Sequence, residues 1–571
     1  MSDATRSIRL PLAATVAAAL LASACQVGIL DNRDDTWRAP PEKLKEVSGQ
    51  DLVGRSAKPP VSPEEATREA LEGKSRLAEY DAMQDLSLAE VRAATLENNL
   101  ELRTLLYDPA IAGKTLDAER AKFEMSLYGN YTNSGSNFLT DLALGNAVDQ
   151  NNATAGLDIP LATGGDLKAF TTFQQFANAT PGFLALDGDW QAGLGFSISQ
   201  PLLRGAGVTV NTASIRVADY RGHIANARTK LETIRILALA DKAYWNLYGA
   251  FRELEVRKAQ YDLAVSVRDQ AKRRVDQGQA AEIEVIRAES GIGQRIEGII
   301  VADANLRDRV RELKRIMNRK DLPLESRTMF TPVTPPNPLG LELDPSKLAD
   351  EAVANRMEML ELELQLAIDA TNLDVARNDT LPLFAVDFSY SPLGAGNSLG
   401  EAYSSIGNWD QDQYSVGVNG EIPLANDVAK SRLGRAVLER VQRLATRDQR
   451  RLAIRAETFA AIDKLRAAWL RILAARLETV LAARTLKGEE RQFEVGLRTS
   501  QDVLDAQGRL ADAQSREVLA LSQYQIALID IAFATGTLLG SAGVEFAPID
   551  VEQLGNRETA GVEAAVEAGR N

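Results

Sequence analysis

Apolar and polar residues alternate one for one in four segments of this 571-residue chain. In Trp190 to Ser199, the residues Trp190, Ala192, Leu194, Phe196 and Ile198 fall on one side, and Gln191, Gly193, Gly195, Ser197 and Ser199 on the other. Phe384 to Ser391 sets Phe384, Val386, Phe388 and Tyr390 against Ala385, Asp387, Ser389 and Ser391. Tyr414 to Ile422 alternates in the same way, and Met125 to Thr132 less cleanly. A period of two predicts strands with one apolar and one polar face, which suits a soluble sandwich as well as a membrane barrel. After Pro201 and Pro423 the period changes to that of a helix, over Ala213 to Gln277 and Asp427 to Glu494. At 1.5 Å per residue each helix would reach about 100 Å. Ala240, Tyr244, Leu247, Phe251 and Leu254 step by four and three, as do Ile462, Leu465, Trp469 and Ile472, so both helices carry a heptad seam and need neighbours along their length.

Each long helix ends in a glycine turn, and the two turns are copies. Arg273 to Glu289 reads RRVDQGQAAEIEVIRAE and Arg491 to Gln507 reads RQFEVGLRTSQDVLDAQ. Setting Gly278 on Gly496 also sets Val285 on Val503, Ala288 on Ala506, and the acids Glu284 on Asp502. A glycine there predicts a left-handed C-cap followed by a second helix. A further pair, LENNLEL at Leu96 to Leu102 and VANRMEM at Val353 to Met359, marks the chain as a tandem repeat.

The first repeat is expected over residues 86–318 and the second over 348–540, each running helix, strands, long helix, helix. Residues 319–347 form a Pro-rich linker, and the tail 541–571 is acidic and loose. Leu86 to Lys122 is mostly helical in pattern, with Pro109 expected to bend or interrupt it. The first repeat holds about 35 extra residues between its helix and its strand exit. Within them Pro160 to Gly165 looks like a hairpin turn between two more strands.

Arg6 and Arg9 precede the apolar run Leu10 to Ala22, so residues 1–24 are a signal peptide. The run ends at Leu21-Ala22-Ser23-Ala24-Cys25, which resembles a bacterial lipoprotein cleavage box, although alanine stands at the third position before the cysteine. The resemblance implies a mature chain beginning at an acylated Cys25, followed by a proline-containing leader over 25–85. Ordinary cleavage nearby would leave a free cysteine instead.

A net charge of −14 disfavours nucleic acid as a partner. One cysteine and one histidine, His223, leave no disulfide, zinc cluster or thiol–imidazole dyad, and no phosphate-cradling loop is present. We expect no enzyme, no cofactor and no metal.

The order of elements, VGLRTSQDVLDAQ at Val495 to Gln507, the SQPLLRG exit at Ser199 to Gly205, and the paired NNLEL and NRMEM segments resemble the TolC-like outer-membrane efflux proteins. The resemblance covers roughly Leu86 to Gly540. It implies an α+β membrane protein: a homotrimer whose protomers each give four strands to one 12-stranded outer-membrane β-barrel in contact with lipid, continued by a long α-helical barrel across the periplasm. It also implies a passive duct working with a periplasmic adaptor protein and an inner-membrane transporter. Carried over by position, Gly278 and Gly496 would lie at the periplasmic tip, with Arg498, Asp502, Asp505 and Glu284 as the gate. Ile283 stands where the family can place a polar gate residue. Thr499 to Asp502 also fits a capping box, so helix capping and gating are both open for these acids. A lipid-anchored periplasmic coiled-coil adaptor or scaffold would explain Cys25 and the heptads, but not the alternating segments.

Overall fold

The computed structural model describes residue 62 and residues 82–138, 146–177 and 190–546. The chain divides after Arg68, and the fold below is that of the unit Glu69–Asn571. The signal peptide, Cys25 and the tail from residue 547 onward lie outside the described residues.

The first repeat opens with β1 (Ala82–Leu86), and Ser87 and Glu90 then close a capping box at the start of α1 (Leu88–Asn98). α2 (Leu100–Leu105) and α3 (Tyr107–Ala121) follow. The stretch is interrupted twice: at Asn99, whose extended backbone and side chain cap α2, and at Leu106, so that Pro109 stands in the first turn of α3, where its missing N–H costs nothing. Next come β2 (Ser126–Phe138), β3 (Asn146–Pro160), β4 (Asp166–Ala177) and β5 (Trp190–Pro201), then α4 (Val208–Asn211), α5 (Ala213–Asp276) and α6 (Ile283–Met317). β6 (Thr328–Pro332) lies in the proline-rich stretch. The second repeat contains α7 (Pro345–Asn355), α8 (Met357–Asn378), β7 (Leu383–Gly396), α9 (Leu399–Ile406), β8 (Gln411–Glu421), α10 (Asp427–Glu494), α11 (Ser500–Ala534) and α12 (Leu538–Ser541).

The structure corrects two expectations. Residues 82–85, expected within the leader, belong to the fold, because β1 pairs in parallel with β6, from Ala82 opposite Thr328 to Leu86 opposite Pro332. The proline-rich stretch is likewise anchored: Met329 and Phe330 are buried beside Leu86, Leu237 and Tyr244, and the Tyr244 hydroxyl accepts from the Thr334 N–H at 2.9 Å. Burial of these apolar side chains outweighs what composition alone suggests. Secondly, the sheet holds six strands rather than four. Its order is β2-β3-β4-β5-β7-β8 with every pair antiparallel, and the turn at Pro160 to Gly165 joins β3 to β4. The β3–β4 hairpin is hydrogen-bonded into the plane of the sheet on both sides, to β2 and to β5.

Register carries one apolar face across all six strands. Leu127 lies opposite Leu157, which lies opposite Ala169, then Phe196, Tyr390 and Tyr414 in turn. The opposite face carries Asp158, Lys168, Ser197, Ser389 and Ser415 along a similar row.

The helices pack as hairpins. α5 lies against α6 and α10 against α11, while α11 also packs on α5, and α8 lies between α5 and α10. The heptad residues Ala240, Tyr244, Leu247 and Leu254 are buried in one cluster, and Leu465, Ile472 and Tyr524 lie in another. Asp241, fully buried on α5, is held by Arg92 through two hydrogen bonds of 2.8 and 2.7 Å.

Candidate functional site

The two turns are built alike. Gly278 has φ +70° and Gly496 φ +78°, a region that residues with a Cβ adopt at a cost. In the first turn the Gly278 N–H donates to Val275 O and the Gln279 N–H to Arg274 O. In the second the Gly496 N–H donates to Phe493 O and the Leu497 N–H to Gln492 O. Both are Schellman caps, which satisfy carbonyls that a helix end leaves unpaired.

Two charged side chains tie the turns together. Glu284, at the start of α6, accepts from the Ser500 N–H at 3.0 Å and the Ser500 hydroxyl at 2.7 Å, and so caps the start of α11. Arg287 donates to its other oxygen at 2.7 Å. Burial disfavours the charged form of Glu284, yet the Ser500 bonds and Arg287 outweigh it and hold the carboxyl below its usual range. Arg274, at the end of α5, donates to Glu494 O at 2.7 Å and lies over the Phe493 ring at 4.6 Å. An anion therefore sits at one helix N-terminus and a cation at one helix C-terminus, each favoured by the helix dipole. Below them Ile292, Leu486, Phe493, Val503 and Leu504 close a small core.

The remaining expected residues divide. Asp502 is engaged in capping: it receives the Thr499 N–H at 2.9 Å and the Thr499 hydroxyl at 2.8 Å. Those bonds, the backbone one foremost, hold its carboxyl below the usual aspartate range. Asp505 is exposed and accepts from the Gln501 amide at 2.8 Å. Arg498 pairs with neither aspartate. Its Nε lies 3.1 Å from Glu489 and 3.0 Å from the Gln492 amide oxygen, both on α10. Ile283 is about half exposed. Sequence reasoning missed Arg274, Ser500, Glu489 and Gln492. Of these, Ser500 and the mutually matched Arg274 and Gln492 lay within the repeated motif, and only Glu489 lay outside it.

Residues 348–537 match the family described as outer membrane efflux protein. Outer membrane protein TolC of Vibrio cholerae serotype O1 is 24% identical over 358 residues, covering 60% of this chain and 76% of that protein. Among solved structures, the CmeC outer membrane channel of Campylobacter jejuni matches with a TM-score of 0.58 at 13% identity, covering 82% of this chain and 89% of that one. The open-state MtrE outer membrane channel of Neisseria gonorrhoeae matches at 0.55 and 16% identity, over 81% and 96%. The solved structures carry the likeness in fold, while the family match over the second repeat and the curated relative carry it in sequence: the chain is similar to the TolC-like outer membrane efflux proteins.

Proposed function

We propose that this chain is the outer-membrane duct of a multi-component export system. Three copies build it, and it passes cargo without covalent chemistry, in concert with a periplasmic adaptor and an inner-membrane transporter. The observation that carries this function is continuity between a two-faced sheet and long helical hairpins. β5 runs through Pro201 towards α5 and β8 through Pro423 towards α10, so each repeat joins a strand with an apolar face to a helix about 100 Å long. Acyl groups at Cys25 would add a membrane anchor to the barrel, and intact mass spectrometry of the mature protein tests that modification. A lipid-anchored scaffold has no use for the two-faced sheet.

The paired turns form the periplasmic tip of this duct, with Arg498, Asp502, Asp505 and Glu284 as its gate. Each contact lies within one chain, and threefold repetition multiplies its bias towards the closed tip. Single-channel recording in planar bilayers tests the function: small conductance is expected from the native protein, rising in the double variant Arg498→Ser, Asp502→Ala. Absence of any channel, together with release from outer membranes by carbonate, would replace the duct with the scaffold.

A further inference from the structure

We infer that three copies close an eighteen-stranded barrel, with β2 of one copy paired to β8 of the next and the β3–β4 hairpin forming part of the membrane wall. The inference rests on the duct proposed above and departs from the four strands per chain that its family resemblance implies. β3 and β4 are paired along nearly their whole length on both sides, from Ser126 opposite Asp158 to Asp166 opposite Ser199. They also share the two-faced pattern of the sheet. Ala153, Ala155, Leu157 and Ile159 with Leu167, Ala169 and Phe173 extend the apolar face, interrupted by Thr171, whose hydroxyl meets that of Tyr403 on α9 at 2.6 Å, while Asn152, Thr154, Asp158, Lys168, Thr172 and Gln174 extend the polar one, interrupted by Phe170. A hairpin folded into the lumen as a plug would have no use for that split. One laid in the wall requires it, since lipid lies on one side and water on the other.

The free edges identify the partner as a second copy of the chain. Among the described residues β2 and β8 have a paired neighbour on one side only, and β8 is exposed over almost its entire length. In lipid an open edge leaves a row of N–H and C=O groups without partners, which a closed barrel removes. β2 begins beside α3 and β8 ends beside α10, so the two edges run in opposite directions and their pairing continues the antiparallel order.

Circumference favours all six strands. Four helices, α3, α5, α8 and α10, pack side by side in that order where they meet the sheet. At 8–10 Å between axes they take up about 32–40 Å of wall. Strands about 4.8 Å apart and tilted by about 40° occupy roughly 6 Å each, so six take up about 38 Å and four only about 25 Å. Six strands therefore let the barrel continue the helical tunnel at equal girth. The backbone diameter of an eighteen-stranded wall is about 36 Å against about 24 Å for twelve, and barrels of that strand number leave an open aqueous channel. The exit then accepts bulky cargo of any width the tunnel passes.

Electron cryo-microscopy of the full-length protein in lipid nanodiscs, with native mass spectrometry, tests the closure. Three copies around eighteen strands are expected. Three copies around twelve strands, with β3 and β4 displaced into the lumen or onto the surface, would overturn the inference and leave the duct standing. Two copies sharing twelve strands would overturn both the inference and the proposed trimer, and particles without a barrel would remove the duct itself. Cysteine labelling gives an independent readout. A water-soluble maleimide should modify Thr154→Cys and Thr172→Cys and spare Leu157→Cys and Phe173→Cys by at least tenfold, and equal labelling of the two sets would place the hairpin outside the wall.

Discussion

Glu284 shows how a residue can be legible in kind and illegible in partner. The repeat marks it as the counterpart of Asp502, yet Asp502 caps its own helix and Glu284 caps the helix of the other repeat. That exchange depends on how the hairpins pack, which no local pattern encodes. Arg498 is similar: the turn at Gly496 folds it back along α10 to Glu489, a contact nine positions away that helical spacing does not suggest. The depressed carboxyl of Glu284 has a signed consequence. Its folded value lies below the ordinary value of about 4.3, so its stabilisation is fully present above that pH and is lost as pH falls through the folded value. Acidification from pH 6 to below about 4 should therefore raise tip conductance, and Asp502 acts in the same direction. Glu284→Gln should remove part of that acid dependence and lower stability by about 1 kcal/mol, as for other lost caps. A conductance–pH curve identical to that of the native protein would remove Glu284 from the gate. The turn glycines give a cleaner test, because a Cβ at Gly278 or Gly496 meets nothing within 4 Å. Alanine at either site should cost about 1–2 kcal/mol from backbone strain alone, measurable as a lower melting temperature.

At the scale of elements, the long helices and four strands were legible because their periods run for many residues. α10 spans Asp427–Glu494 and α5 Ala213–Asp276, close to the limits that Pro423, Gly278 and Gly496 suggest. β4 was less legible because Phe170 sits on the polar face and blurs the alternation. It is accommodated there between Gly156 and Gly195, which lie opposite it on the two neighbouring strands. β1 and β6 were hidden because five-residue strands beside prolines have no clear period. Their importance lies in burial: Phe330 is fully buried, and Phe330→Ala should cost about 3–5 kcal/mol in a thermal or denaturant melt. Unchanged stability would mean that the proline-rich stretch is only a tether. The faces of the sheet make an asymmetric prediction. Phe388→Arg on the apolar face should cost roughly 2–4 kcal/mol at mid-bilayer, while Ser389→Arg on the polar face should be tolerated. Heat-modifiable oligomer in outer-membrane extracts reports the difference, and equal loss from both variants would contradict the assigned faces.

On the scale of the whole molecule, a single chain is unfinished in a way that its helices share with its sheet. Away from the sheet the helices form a row α6–α5–α11–α10, and within the chain α10 packs on α11, α8 and α7. Its buried residues Leu465, Ile472 and Ala475 meet α11, but Leu470, Leu473, Leu477 and Val480 form a second apolar stripe that is 45–64% exposed. These four step by three, four and three, the spacing of a helix seam. At the other end of the row, Ile286, Ile300 and Val301 of α6 are also exposed. An apolar stripe at each end of a row is what a closed ring of copies requires, and it places the helical closure on the same two sides as the free edges β2 and β8. Each leucine buried in such a seam contributes about 1.5–3 kcal/mol, and a trimer repeats the seam three times. Because these side chains are exposed within one chain, Leu473→Glu with Leu477→Glu should leave the fold of the protomer intact, as judged by circular dichroism. The same substitutions should shift native mass from three copies to one and abolish channel activity. If the trimer survives them, the stripe faces something other than a neighbouring copy, and α6 cannot be its partner.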